Sequence, residues 1–279
     1  MKAKKIWALL MALAMVFSLA ACGDTAEDTS DADNADAENT DTAEASDLAY
    51  VQDKGTLVVG ITEFEPMDYQ NESGEWVGFD ADLAKEFAES LGVEVQFQII
   101  DWDSKIMELD GKTIDVVWNG MTLTEDVTSA MECSQPYLIN QQVVVVPAAV
   151  ADQYQSEDSL TDLAFAVEIG SAGCEIAAAN GYNYTEVADQ ATALLEVASG
   201  TADAAIIDSL MAGAMIGEGT SYADLTSTVA LTSEEYGVGF RKGSDLAAAL
   251  NEFLDGKYAD GSIQTLAETY GVQDALVQE

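Results

Sequence analysis

From residue 55 onward, short apolar runs alternate with stretches in which apolar side chains recur every three or four positions. Residues 56–60 (Thr-Leu-Val-Val-Gly) read as a buried strand. Leu83, Ala84, Phe87, Ala88 and Leu91 share one helical face, which predicts a helix with Asp80 as N-cap and Gly92 as stop. Val93, Val95, Phe97 and Ile99 then alternate with Glu94, Gln96 and Gln98, the period-2 pattern of a half-buried strand. Residues 106–109 predict a short helix and 114–118 a further strand. Strand–helix–strand units of this size argue for an α/β sheet with substantial parallel pairing.

The pattern restarts at residues 141–146, a β-branched run ending at Pro147, followed by a polar stretch with no strong core signal. Residues 164–167 read as a strand, Gly170-Ser171-Ala172-Gly173 as a tight turn and 175–180 as a helix. Residues 190–199 predict a helix ended by Gly200, and 204–207 a buried strand. After Tyr236-Gly237-Val238-Gly239-Phe240 come two helices, starting near Ser244 and Ser262 and stopping at Gly256 and Gly271. Two similar halves of roughly 90–140 residues imply two α/β lobes, each of ordinary domain size.

Ahead of these halves the chain is of another kind. Lys2, Lys4 and Lys5 precede an apolar run over residues 6–21 that ends in small side chains, a secretory signal rather than a spanning helix. Leu19-Ala20-Ala21-Cys22 resembles a bacterial lipobox. That resemblance implies a signal peptide over residues 1–21, cleavage before Cys22 and lipidation of Cys22, with plain secretion as the alternative. Residues 23–47 carry ten carboxylates and no large apolar side chain. Such a run cannot offset the entropy of ordering, so residues 22–49 are expected to be a disordered acidic tether. The mature protein is then expected on the outer face of the cell membrane, on the extracellular or periplasmic side.

Composition narrows the chemistry. With 51 acidic and 10 basic residues, for a net charge of −41, no basic patch is available for nucleic acid or anionic lipid. The chain contains no histidine, which removes His-based acid–base catalysis, catalytic triads and most transition-metal sites. No cofactor and no metal are expected. Beyond Cys22 only Cys133 and Cys174 remain; they either pair or, the preferred reading, stay as free buried thiols.

Several segments together resemble one family, the extracellular family 3 solute-binding receptors of amino-acid ABC importers. They are Phe64-Glu65-Pro66-Met67, then Trp76-Val77-Gly78-Phe79-Asp80-Ala81-Asp82-Leu83-Ala84, Asp101-Trp102-Asp103 and Gly120-Met121-Thr122-Leu123-Thr124. Cys133-Ser134-Gln135-Pro136-Tyr137, Asp203-Ala204-Ala205-Ile206-Ile207-Asp208 and Tyr236-Gly237-Val238-Gly239-Phe240-Arg241-Lys242-Gly243 follow in the family's order. The resemblance implies a two-lobed, periplasmic-binding-protein-like fold of type II, with two crossover strands as hinge and ligand in the cleft. Lobe 1 would comprise residues 50–142 plus 234–279 and lobe 2 residues 143–233, the hinge falling at 141–146 and at the segment entering Tyr236.

The same resemblance supplies a candidate site. Phe64 and Trp102 would pack on the ligand, and Asn119, Gly120 and Thr122 would meet its polar groups. Asp208 would hold an α-ammonium, and the turn of Ser171 and Ala172 would offer helix-start N–H groups to a carboxylate. Read without the resemblance, Phe64 and Trp102 pass as core residues and Asp208 as a strand-end turn residue. One position departs from the family: its carboxylate-clamping arginine falls at residue 127, where this chain has Val127. Valine offers no charge-assisted bond, and the chain's one arginine is Arg241. Lys105 is the nearest candidate cation, and it reads at least as well as a solvent-facing lysine. With Glu63, Glu168 and Glu235 as further pocket candidates, the cleft should be acidic and favour zwitterions or cations. The expected function is capture of a small polar solute, an amino acid by resemblance, and its delivery to the transmembrane permease subunits by a monomeric receptor. Alternatives are a receptor for a cationic amine or other non-amino-acid solute, a sensor module, or an enzyme on the same scaffold.

Overall fold

The computed structural model describes residues 46–278, so the signal, Cys22 and the tether up to residue 45 lie outside the described residues. Two mixed sheets, each flanked by helices, organise what is described. The first holds six strands, in the order Glu94–Ile99, Thr56–Ile61, Val116–Thr122, Glu234–Phe240 and Glu132–Cys133, with Leu138–Asn140 also paired to Glu234–Phe240. Its first three strands are parallel, and Glu234–Phe240 runs antiparallel to Val116–Thr122. The second holds five, in the order Asn183–Val187, Ala164–Glu168, Ala204–Asp208, Gln142–Pro147 and Leu225–Ala230. There the first three strands are parallel and the last two contacts antiparallel.

The chain changes sheet twice among the described residues. It does so at Gln141, between Leu138–Asn140 and Gln142–Pro147, and again at residues 231–233, between Leu225–Ala230 and Glu234–Phe240. Each lobe therefore has its own sheet, and two strands cross between them. The central strands Val116–Thr122 and Ala204–Asp208 are buried on both faces, which is why they read as continuous apolar runs. Glu94–Ile99 is an edge strand with one covered face, hence its alternation; its last residue, Ile99, stays 62 % exposed. The helix Phe79–Leu91 buries Leu83, Ala84, Phe87 and Ala88 against the first sheet, and Gln190–Ser199 buries Ala193, Leu194 and Val197 against the second. Each large apolar side chain so buried contributes about 1.5–3 kcal/mol.

Several expectations change. Asp80 is not an N-cap. Gly78 takes that position, at φ 133°, because a Cβ there would lie 2.1 Å from the Met67 carbonyl oxygen. Asp80 is instead fully buried one residue inside the helix, where it accepts hydrogen bonds from Gly120 N (2.6 Å) and the Tyr137 hydroxyl (2.8 Å). Gly256 does not stop its helix: Leu246–Ala259 runs through it, since Leu246, Ala247, Leu250 and Leu254 carry one apolar face onto the core and outweigh a cost of about 1 kcal/mol for one interior glycine. Gln142, expected at the end of lobe 1, opens a strand of the five-stranded sheet.

Residues 47–49, expected in the tether, belong to the helix Asp47–Lys54. Arg241 holds that helix in place, its Nε donating to Asp47 at 2.9 Å and its Nη1 to the Ile114 carbonyl at 2.9 Å. Cys133 and Cys174 are free, as preferred, but half-buried rather than buried.

Candidate functional site

The carboxyl edges of Val116–Thr122 and Ala204–Asp208 face a shared cavity between the two sheets. All nine sequence-predicted contact residues line it. Phe64, Trp102, Lys105, Asn119, Gly120 and Thr122 come from segments of the six-stranded lobe. Ser171, Ala172 and Asp208 come from the five-stranded lobe, and Val127 is on the wall as well.

Local chemistry explains how each is held. Phe64 stacks edge-to-face on Tyr236, with centroids 6.4 Å apart and planes at 82°. Gly120, at φ 55°, lets the Phe64 ring approach: a Cβ there would sit 2.6 Å from the ring. Asn119 spends its whole amide on the lobe itself. Its Oδ1 accepts from Thr62 N (3.0 Å) and Oγ1 (2.8 Å), and its Nδ2 donates to Thr62 O (3.0 Å) and Asp68 (2.8 Å). It therefore fixes the strand end that carries Phe64. The Gly120 N–H is likewise taken by Asp80, and Thr122 Oγ1 donates to Glu234 at 2.8 Å.

On the opposite wall Ser171 caps the helix Ala172–Asn180, its hydroxyl accepting from Cys174 N at 3.1 Å. The first-turn amides of Ala172 and Gly173 are left without intrahelical acceptors, the arrangement that suits an anion or a carboxylate. Asp208, 4 % exposed, is gripped by three amides: Asn140 Nδ2, Gln142 Nε2 (2.7 Å) and Gln190 Nε2. The Asp208 N–H returns a bond to Gln190 Oε1 at 2.8 Å. Burial and the nearby Glu234 carboxylate push the Asp208 acid up to about 7, against the hydrogen bonds that favour its charged form. Glu168 lies beside it, 3 % exposed, with Oε2 accepting from Gln190 at 3.4 Å. Burial first, then the Asp208 charge, push Glu168 up to about 8.

Lys105 is not a solvent-facing lysine. It is 7 % exposed, and its ammonium donates to Trp102 O at 3.1 Å and to Gly170 O at 2.9 Å, so it spans the two lobes. The same ammonium lies 4.8 Å from the Trp102 ring centroid. Burial lowers its pKa, with Glu168 and Glu175 opposing. Of its three N–H donors one is left for a further acceptor. Among the described residues lining the cavity, Lys105 is the one cation, and it faces Glu168 and Glu175. Glu63 and Glu235, considered as pocket candidates, are exposed and off the wall; strand alternation turns Glu234 toward the site in place of Glu235.

Gln142 and Gln190 were not anticipated. Gln190 opens a helix behind the Asp189 cap, where a lone polar residue reads as solvated. Its only sequence cue is that it breaks no pattern.

The bacterial extracellular solute-binding protein model, family 3, matches residues 57–273. The L-cystine-binding protein TcyJ of Escherichia coli (strain K12) is 29% identical over 227 residues, covering 80% of this chain and 85% of that one. The arginine-binding extracellular protein ArtP of Bacillus subtilis (strain 168) is 29% identical over 277 residues, covering 96% and 98%. Among solved structures, the P235GK mutant of ArgBP from T. maritima superposes with a TM-score of 0.75 at 33% identity, over 80% of this chain and 98% of that chain.

Proposed function

The chain belongs to the bacterial extracellular solute-binding proteins, family 3, and from that premise we propose that it is the lipid-anchored receptor of an ABC importer for a zwitterionic or cationic amino acid. The observation that carries this reading is the charge of the cavity: Asp208 and Glu168 are buried on its wall, Lys105 is its one cation among the described residues, and Val127, which the family resemblance puts in the place of a clamping arginine, adds no charge. An attraction of about 4 kcal/mol per close opposite pair favours an ammonium there and disfavours an acidic side chain. In this reading Phe64 and Trp102 sandwich the ligand, and Asp208 takes its α-ammonium. The first-turn amides of Ala172 and Gly173, behind the Ser171 cap, and the spare Lys105 donor take its carboxylate, while Asn119, Gly120 and Thr122 hold the floor. Residues 50–140 with 234–279 act as one lobe and 142–233 as the other. Relatives whose names describe arginine and cystine binding support an amino acid as ligand. A cationic amine without a carboxylate is the second reading, favoured by Val127.

Calorimetric titration with L-arginine, L-glutamine, L-cystine and L-glutamate tests it. Arginine, glutamine or cystine should bind, glutamate at least tenfold more weakly, and Asp208→Ala should abolish binding. Tight glutamate binding overturns the charge argument, and failure of every amino acid overturns the ligand class. For the anchor, Cys22→Ser should leave the protein unlipidated and released or unprocessed. Membrane retention of a processed mutant would remove the lipobox reading.

A further inference from the structure

Glu168 is the last residue of the strand Ala164–Glu168, and Asp208 the last of the neighbouring parallel strand Ala204–Asp208. Both carboxylates therefore leave the same sheet edge, and both line the cavity. One side-chain amide bridges them, because Gln190 Nε2 donates to Glu168 Oε2 and to Asp208 Oδ2. Asp208 has donors on both oxygens. Glu168 does not: its Oε1 is buried and has no hydrogen-bond partner, although Glu168 is on the cavity wall. A buried acceptor left open in this way points to a missing donor.

We propose that Glu168 and Asp208 together seat a single ligand ammonium or guanidinium, whose cation takes the place of a proton otherwise carried by one of the two carboxylates. For an α-ammonium the proposal rests on the amino-acid reading above; for a plain amine the same seat serves. An ammonium offers three N–H donors and a guanidinium five, enough to satisfy Glu168 Oε1 and to bond Asp208. Glu168 is then a specificity-determining residue, selecting for a positive charge that one carboxylate already covered by three amides would attract less.

The groups around the pair decide its charge. Asp189 and Lys105 face Glu168, while Glu234 and Tyr236 face Asp208. Glu175 adds a further negative charge toward Lys105. With one cation among several acids, two carboxylates sharing one amide do not both ionise at neutral pH, consistent with Asp208 at about 7 and Glu168 at about 8. As the ligand cation enters, the carboxyl group gives up its proton to solvent, and the ligand is held by ionic hydrogen bonds alone. Both acids are raised above their ordinary values. Their contribution to the stability of the empty protein is thus full below pH 4 and lost as pH rises through about 7 to 8. Affinity for a cation rises over that same upper span.

The test is calorimetry on the mature chain with L-arginine, L-glutamine and cadaverine, in phosphate and in Tris, whose different ionisation enthalpies count the protons released. Close to one proton per ligand should be released at pH 7, and affinity should increase on the order of tenfold from pH 6 to pH 8. Glu168→Gln keeps the shape and should cut the proton count by more than half and weaken binding at pH 8 at least tenfold. It should also lose less melting temperature than the wild type between pH 5 and pH 8, which serves as the folding control. Equal weakening for arginine and glutamine places the α-ammonium in the seat; weakening for arginine alone places the guanidinium there. Amino acids that bind without proton release, and equally well in Glu168→Gln, overturn the seat and leave the receptor reading intact. Cadaverine binding with proton release while no amino acid binds keeps the seat and overturns the amino-acid reading. Binding of none of the three overturns both.

Discussion

At the scale of single residues, Lys105 sets the sign of what the cavity accepts. Its ammonium is held by Trp102 O and Gly170 O and by the Trp102 ring, so it cannot swing out to solvent without giving up two hydrogen bonds. Lys105→Ala therefore has opposite consequences for the two ligand classes. An amino acid loses the one positive charge that can meet its carboxylate, and its binding should weaken at least tenfold, the equivalent of about 1.4 kcal/mol. A diamine such as cadaverine loses a repulsion and should bind more tightly. Calorimetry of both ligands on the same variant separates the readings, and unchanged affinity for both would confine Lys105 to joining the lobes. The sequence marks Lys105 as the nearest candidate cation, though it reads equally well as a surface lysine, and its bonds to Trp102 O and Gly170 O were not legible there. Phe64, Trp102 and Asp208 were legible because each belongs to a motif matched as a whole. Gln190 and Gln142 belong to none, and their role comes from a helix and a strand far apart in sequence that meet at Asp208.

At the scale of elements, periodicity located the strands and helices whose apolar positions recur regularly, such as Gln190–Ser199 and the edge strand Glu94–Ile99, and missed those whose residues do not. Asn183–Val187 is an edge strand like Glu94–Ile99, but its Asn-Tyr-Thr-Glu-Val run alternates no apolar with polar residues and carries no apolar signature. Asp80 shows the other kind of error: the local rule for a helix start was overridden by tertiary bonds to Gly120 and Tyr137. The start is set by Gly78, and the constraint there is steric as well as conformational. Its φ of 133° is closed to L side chains, and any Cβ would press on the Met67 carbonyl. Gly78→Ala should thus cost about 3 kcal/mol or more, because strain and clash add at one backbone position. Urea unfolding measures this. A loss below about 1 kcal/mol would mean that the loop Phe64–Asp68 yields freely, which its bonds between Phe64 and Asp68 oppose.

At the scale of the whole molecule, the two lobes are joined by crossings at Gln141 and at residues 231–233, and they meet around the cavity. A close approach across it is at Gly170, where a Cβ would lie 2.7 Å from Asp103 Cα, next to the Lys105 bond to Gly170 O. Such a contact exists only while the lobes are together. A ligand that touches both walls adds its own bonds to that arrangement and none to a separated one, so it shifts the population toward closure by its differential affinity. Saturating ligand should then reduce the radius of gyration in solution scattering, with backbone change confined to the two crossings. Gly170→Ala obstructs the approach from the second lobe and should leave the scattering curve close to that of the ligand-free protein, while affinity falls at least tenfold. Because Gly170 also has φ 71°, the variant's melting temperature must be read alongside, to separate a hinge held open from a lobe that has lost its fold. A wild-type curve that does not move at saturation would mean that the solute enters lobes already closed, and the Lys105–Gly170 bond would then be a fixed strut rather than one that ligand completes.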